Sequence, residues 1–440
     1  MALARPEDRS QLELLFRTGV EAVDAGTSTA RFLKTDSGFL EIGGFKISRP
    51  NLKKIWILGG GKATAAMAKV AEEFFLEEMP QAFAGGVIVV KEGHGLPLEH
   101  VRCREASHPV PNSQGEKGAI ELLKQVAGTE PDDLILFLLS GGASALLPLP
   151  AKGIPLASKM SMTRTLLECG ADIHEINALR KHCSRIKGGK LVRAAPGAVW
   201  VTLAISDVPG DSPETIGSGP TVGDPTTLND CWSIVRKYGI ERKLSPEILE
   251  HLQRESSETP KPGDELFSRT YYQVMARNKD AVNAAVKKAI GLNYPTVPES
   301  RFLSDDISQV TEFWKKLKER CDREMKKPFA AIVGGEPTVE VKGPGKGGRN
   351  MELALRLAGM LPGKFSFLSA GTDGTDGPTD AAGAFVDETT IPRARKMGME
   401  WHEYLERNDS YPFFEKIGDL FVTGPTGTNV MDLQMLLVRQ

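Results

Sequence analysis

With 440 residues, 40% of them hydrophobic and 25% charged, the chain has ordinary globular composition and a length that calls for two domains. A formal net charge of −2 and the lack of a dense basic run argue against a nucleic-acid partner and confine any anion site to local positive charge. Cys103, Cys169, Cys183, Cys231 and Cys321 are odd in number and lack CxxC spacing, no apolar run reaches the ~20 residues that span a bilayer, and Met1–Arg9 has no apolar signal core, so a cytoplasmic protein with reduced thiols and no membrane partner is expected.

In chain order, Gln11–Val23 has the spacing of an amphipathic helix. Lys54–Leu58 predicts a strand that ends in glycine, and Ala63–Glu78 an alanine-rich helix after it. Gly86–Val90 predicts a strand, Ser113–Val126 a helix and Leu134–Leu139 a strand. Ile154–Cys169 and Ile173–Ile186 are helical in pattern, Val199–Ile205 reads as a buried strand, and Cys231–Tyr238 as a helix. This alternation predicts βαβ units and a mainly parallel sheet. The shift to Glu, Ser, Pro and Lys over Ser245–Phe267 suggests a linker or surface excursion. A second α/β series follows: strands at Tyr271–Met275, Phe329–Val333, Phe365–Ala370, Leu420–Val422 and Leu433–Val438, with helices at Asp280–Ile290, Ser308–Lys326 and Asn350–Met360.

Four predicted strands end in small, polar or charged residues: at Gly59-Gly60-Gly61-Lys62, Ser140-Gly141-Gly142, Ser206–Asp211 and Gly371–Gly374. Parallel strands deliver polar groups to one crevice in this way, which predicts a single anion-handling site. Gly60, Gly61 and Lys62 precede a helix whose N-terminus favours an anion, although a turn packed tightly between strand and helix has the same composition. Trp56 and Ala63 stand where a Walker A loop needs Gly and Ser or Thr, and Thr64 where a dinucleotide fingerprint needs its third Gly. Ser140, Gly141, Gly142 and Ser144 offer hydroxyls and N–H groups to an anion, without the Gly-x-Ser-x-Gly of a nucleophile elbow. Helical spacing puts Asn177, Arg180 and Ser184 on one face, continued by Lys187 and Gly188-Gly189; this is either a solvated face or a phosphate site with Lys187 as its leading residue.

Asp207 and Asp211 suit either Mg²⁺, which takes one or two carboxylates plus phosphate oxygens and water, or Asx-turn capping. Asp373, Asp376 and Asp380 pose the same choice, in a segment without the length or closing Glu of an EF-hand loop. Ser218 and Gly219 follow the Asp207 turn, and Glu336 follows the strand of Gly334. Arg349 ends the basic loop Gly343–Asn350 at a helix start, where a guanidinium can pin a carboxylate or steady the charge of phosphoryl transfer.

In order and nearly end to end, these segments resemble the glycerate kinases of the MOFRL type, a family once often labelled hydroxypyruvate reductases. Further markers are His108-Pro109-Val110-Pro111, His174-Glu175-Ile176-Asn177, Ser218-Gly219-Pro220-Thr221, Gly334–Thr338, Ala370–Ala382 and Thr423–Asn429. The resemblance implies an α/β protein of two domains: a Rossmann-like three-layer domain over 1–260 and a smaller mixed α/β domain over 268–440, containing the MOFRL region at about 327–436, with the active site in the cleft between them. It also implies ATP- and Mg²⁺-dependent phosphorylation of D-glycerate, with 2-phosphoglycerate favoured over 3-phosphoglycerate; a monomer or homodimer is expected. Carried onto this chain, Lys62 and Arg349 are the expected catalytic positives and Asp207 the acid beside them, as metal ligand and first candidate base. Gly60, Gly61, Ser140, Gly141, Gly142, Ser144, Asn177, Lys187, Gly188, Ser218, Gly219, Glu336 and Asp373 are the expected substrate and nucleotide contacts. Ala143 replaces a glycine usual in the Ser-Gly-Gly turn, and Met351 the Gln that often follows Arg-Asn. The alternatives are an NAD(P)H-dependent hydroxypyruvate reductase, which the missing third glycine disfavours, and a non-catalytic sugar-acid sensor, which would not need Asp207.

Overall fold

The computed structural model describes residues 6–439, and these form two compact units. In the first, Ala25–Ala276, a three-stranded antiparallel meander (β1 Leu33–Thr35, β2 Phe39–Ile42, β3 Phe45–Ser48) precedes the main sheet. That sheet contains β4 (Ile55–Gly60), β5 (Phe83–Lys91), β6 (Val101–Ala106), β7 (Leu134–Leu139), β8 (Val199–Ile205) and β9 (Thr270–Ala276) in the order β6-β5-β4-β7-β8-β9, parallel throughout. Every residue of β7 and β8 is buried, as expected of parallel strands covered on both faces by crossover helices. The helices Thr64–Glu78 and Ser113–Ala127 supply two of those crossovers. Four more helices, Leu156–Glu168, Ile173–His182, Leu228–Lys237 and Pro246–Leu252, close a separate apolar cluster around Met162, Leu166, Leu179, Cys183 and Ile248.

The second unit joins the described residues up to Asp24 to those from Arg277 onward. Its sheet contains β10 (Phe329–Gly335), β11 (Ser366–Gly371), β12 (Gly383–Asp387), β13 (Leu420–Phe421) and β14 (Asp432–Val438) in the order β10-β14-β11-β12-β13, antiparallel throughout. The helix Ile307–Glu324 buries Val310, Trp314 and Leu317 in this unit's core. Trp314 meets Phe367 edge-to-face at 5.0 Å, and its indole N–H donates to Gln434 Oε1 at 2.6 Å.

Three expectations need correction. The strand Tyr271–Met275, expected in the second series, is β9 and pairs with β8 over Trp200–Ile205, so Ser245–Phe267 is the excursion of the two readings given for it, and the first unit ends at Ala276 where the sequence pointed to 260. The opening helix, Pro6–Ala22, does not belong to the first unit. It buries Leu12, Leu15 and Phe16 in the second, where a Cβ on Gly19 would lie 3.0 Å from Ala281 O in the helix Asn278–Gly291. The strand end at Gly371–Gly374 lies in the antiparallel sheet, so only three of the four polar strand ends share the parallel one. Among the described residues no helix is long and apolar enough to cross a membrane, and all five cysteines are free thiols.

Candidate active site

The parallel sheet changes direction between β4 and β7: β5 and β6 extend it to one side, β8 and β9 to the other. Open α/β sheets bind ligands outside the carboxyl ends of their strands at such a reversal. The loops after β4 and β7 meet there and are bonded to each other. Lys62 N–H donates to Gly141 O at 2.8 Å, Ala63 N–H to Ser140 Oγ at 3.0 Å, and the Ser140 and Thr64 hydroxyls lie 3.0 Å apart. Gly61, at φ +142°, is required by this contact, because a Cβ would fall 2.1 Å from Ser140 Oγ. Gly142, at φ +84°, leaves room for His108, whose ring would stand 2.9 Å from a Cβ there, with Lys62 Cγ at 3.4 Å. Lys62 is part-exposed, and its carbonyl is 3.1 Å from His94 Nδ1. A lysine is thus carried at the mouth of the reversal by a backbone fixed on both sides.

Two residues beyond Gly142, Ser144 joins a second group. Its hydroxyl lies 3.0 Å from Ser218 Oγ, and Ser218 donates to Asn177 Oδ1 at 3.3 Å. Buried Lys187 donates from Nζ to Ser144 O and Oγ, both at 3.0 Å, and to Gly217 O at 3.4 Å. Burial pushes its pKa well down, aided by the charges of Lys159 and Arg180. Gly188 and Gly189 tie this group to the following turn, donating to Ser218 O at 3.0 Å and Gly219 O at 2.8 Å. At the end of β8, Asp207 is part-buried. The Tyr272 hydroxyl, buried and without a hydrogen-bond partner among the described residues, has its pKa raised by burial and then by Asp207 and Glu214.

In the second unit, Arg349 is the first residue of the helix Arg349–Met360. Its guanidinium forms a two-pronged pair with buried Asp432, Nε to Oδ2 at 2.5 Å and Nη2 to Oδ1 at 2.9 Å, while Nη1 lies 3.4 Å from Glu336. Burial opposes the charge, but Asp432, Glu336 and Asp376 raise the pKa overall. Asp376 receives the N–H groups of Asn350 at 3.1 Å and Met351 at 2.8 Å, capping the helix start from a distant segment. Burial raises its carboxyl to about 7 against those two hydrogen bonds. Asp373 takes the turn-capping role, accepting from Thr375 N–H at 3.0 Å and Oγ1 at 2.9 Å.

A family model described as a domain of unknown function (DUF4147) matches residues 11–253, and the MOFRL family model matches 329–432. The D-glycerate 2-kinase of Thermotoga maritima is 40% identical over 88% of this chain and 91% of its own length. The chain belongs to the MOFRL-type glycerate kinase family. A crystal structure of glycerate kinase from Thermotoga maritima superposes with a TM-score of 0.83 at 35% identity, covering 98% of this chain and all of that one. Another family relative, 39% identical over 87% of this chain and 86% of its own length, carries the name putative hydroxypyruvate reductase in Agrobacterium vitis.

Of the residues the sequence singled out, the structure gathers Gly61, Lys62, Ser140, Gly141 and Gly142 at the sheet reversal, and Ser144, Asn177, Lys187 and Ser218 beside it. Arg349 and Glu336 come together in the other unit. The sequence analysis gave no site role to His108 or Thr64, which it met only as a family marker and as a missing glycine, and it passed over Lys159 and Asp432. Asp432 left one signal, an acid at the head of the otherwise apolar run Leu433–Val438.

Proposed function

We propose that the protein phosphorylates D-glycerate at the expense of MgATP, with 2-phosphoglycerate the favoured product. The observation that carries this reading is the pair of interlocked loops after β4 and β7, which present Lys62 and Ser140 at the sheet reversal of a glycerate kinase family member. Phosphoryl transfer needs positioning and charge stabilisation more than covalent help, and these are what a fixed lysine and convergent hydroxyls supply. In this reading Lys62 steadies charge on the transferring group, while Ser144, Asn177, Lys187 and Ser218 contact substrate or nucleotide. Arg349 adds the second positive charge, held in orientation by Asp432. Among the described residues no cluster of three or more His, Cys, Asp or Glu side chains forms a metal site, but Asp207 at the end of β8 offers one carboxylate to an ion whose other ligands are phosphate oxygens and water. Asp207 is also the first candidate to accept the hydroxyl proton.

The name borne by the Agrobacterium vitis relative keeps a nicotinamide-dependent reductase as the second reading. Against it, the loop after β4 has Thr64 where a dinucleotide fingerprint places its third glycine, and Thr64 bonds to Ser140. Assays for D-glycerate-dependent ADP release and for hydroxypyruvate-dependent NADH oxidation separate the two. Mapping the product's phosphate position then tests the choice of hydroxyl.

A further inference from the structure

The helix Leu156–Glu168 turns one face into the apolar cluster of the first unit, and on that face, in line with Met162 and Leu166, stands Lys159. It is 6% exposed, and its Nζ is buried without any hydrogen-bond partner among the described residues. An unpaired ammonium in such a place costs several kcal/mol unless something compensates it. The neighbouring groups add to the difficulty. Arg180, part-buried on the helix Ile173–His182, has no carboxylate partner among the described residues, and Lys187 bonds only to neutral oxygens. Burial above all lowers the Lys159 pKa to about 7, with Cys183 raising it and Lys190 and Arg180 lowering it, and after burial Lys159 and Arg180 both depress Lys187.

The acids of this region are committed elsewhere. Asp224 pairs with Lys181 at 3.2 Å and accepts from Thr226 and Thr259, while Glu258 bonds to His182 at 2.9 Å and to Lys261 at 2.6 Å. Lys190, the fourth cation, spends its ammonium on the carbonyls of Lys181, His182 and Ser184. Among the described residues no carboxylate pairs with Lys159, Arg180 or Lys187, so an anion entering beside them would meet cations that the fold leaves unpaired.

We propose that Lys159 and Arg180, together with Lys187, form the seat of a small oxyanion, a carboxylate or phosphoryl group that enters beside Ser144, Asn177 and Ser218. This deepens the kinase reading, because the acceptor's carboxylate and the nucleotide's phosphates are the two sources of such a group there. The seat itself rests on the unmatched cations and not on which reaction follows.

The test uses the full chain with D-glycerate, inorganic phosphate and ADP as separate probes, read by calorimetric affinity and by the ligand-induced rise in thermal midpoint. The variants are K159M, K159R and R180Q, with K152M, at an exposed turn, as a control for lost charge alone. K159M and R180Q should weaken one probe by about tenfold or more, while K159R and K152M stay within about twofold of the parent. Selective loss of D-glycerate identifies the acceptor's carboxylate, and selective loss of phosphate or ADP identifies a phosphoryl group. K159M should keep or raise the thermal midpoint without ligand while losing the rise on adding it. Folded K159M and R180Q that bind all three probes within about twofold of the parent overturn the seat. A wild-type protein without glycerate-dependent ADP release, yet with Lys159-dependent phosphate binding, overturns the kinase reading and leaves the seat standing.

Discussion

Two groups of cations in this molecule balance their charge in opposite ways. Around Arg349, the protein supplies the countercharge itself: Asp432 holds one edge of the guanidinium with two bonds and Glu336 stands near Nη1. Around Lys187, no carboxylate among the described residues pairs with Lys187, Lys159 or Arg180, and the Nζ of Lys159 is buried without a hydrogen-bond partner. A cation already paired is fixed in direction and acts by position, whereas an unpaired cluster costs stability until an anion arrives. The contrast separates a group built to point from a group built to receive.

The largest effects should come from the charges assigned to the reacting group. K62A and R349A should each lower kcat by about 10²–10³-fold, as the loss of one charge-stabilising donor does elsewhere, with folded protein verified by circular dichroism. Near-normal turnover in both variants would remove them from the mechanism. Next in size is D432N, which should lower kcat by about 10–100-fold through a misdirected Arg349. If Asp432 acts only by pointing the arginine, R349A/D432N should be no slower than R349A alone, and additive losses would mean that Asp432 has a role of its own.

G61A probes the interlocked loops. Its methyl group would meet Ser140 Oγ, so a loss of about 1–3 kcal/mol is expected in denaturant unfolding. An unchanged midpoint would mean that the two loops are not tightly joined. A change of pH sharpens the contrast between the two groups. Lys159 has a native pKa of about 7 against the usual 10.5, so the cost of burying its charge is fully present below about pH 7 and is relieved as pH rises toward 10.5. K159M escapes this cost. Its stability advantage over the parent should be greatest below about pH 7 and close toward 10.5, and a pH-independent difference would mean that Lys159 is matched after all.

Much of this was open to reading along the chain, because the signals were local. Leu134–Leu139 and Val199–Ile205 are uninterrupted apolar runs, and both became strands at those bounds. The glycines and hydroxyls after them marked the strand ends that gather at the sheet reversal. What stayed hidden depends on partners far apart in sequence. The amphipathic pattern of Pro6–Ala22 declared a helix but not that it would pack with the helix Asn278–Gly291. The antiparallel order of the second sheet depends on β14, the last strand, inserting between β10 and β11. Lys159 carries no local mark, since a lysine in Ser-Lys-Met-Ser reads as a solvated one until neighbouring helices cover it. Asp373 was visible in the sequence as an acid at a strand end, and its Oδ1 accepts within its own turn.

The most direct measurement is ADP release from MgATP with D-glycerate, run beside NADH oxidation with hydroxypyruvate on the same preparation. Glycerate-dependent ADP formation without NADH oxidation is the predicted result. NADH oxidation without ADP formation would contradict it, and the loops at the sheet reversal would then have to be reread as a dinucleotide site.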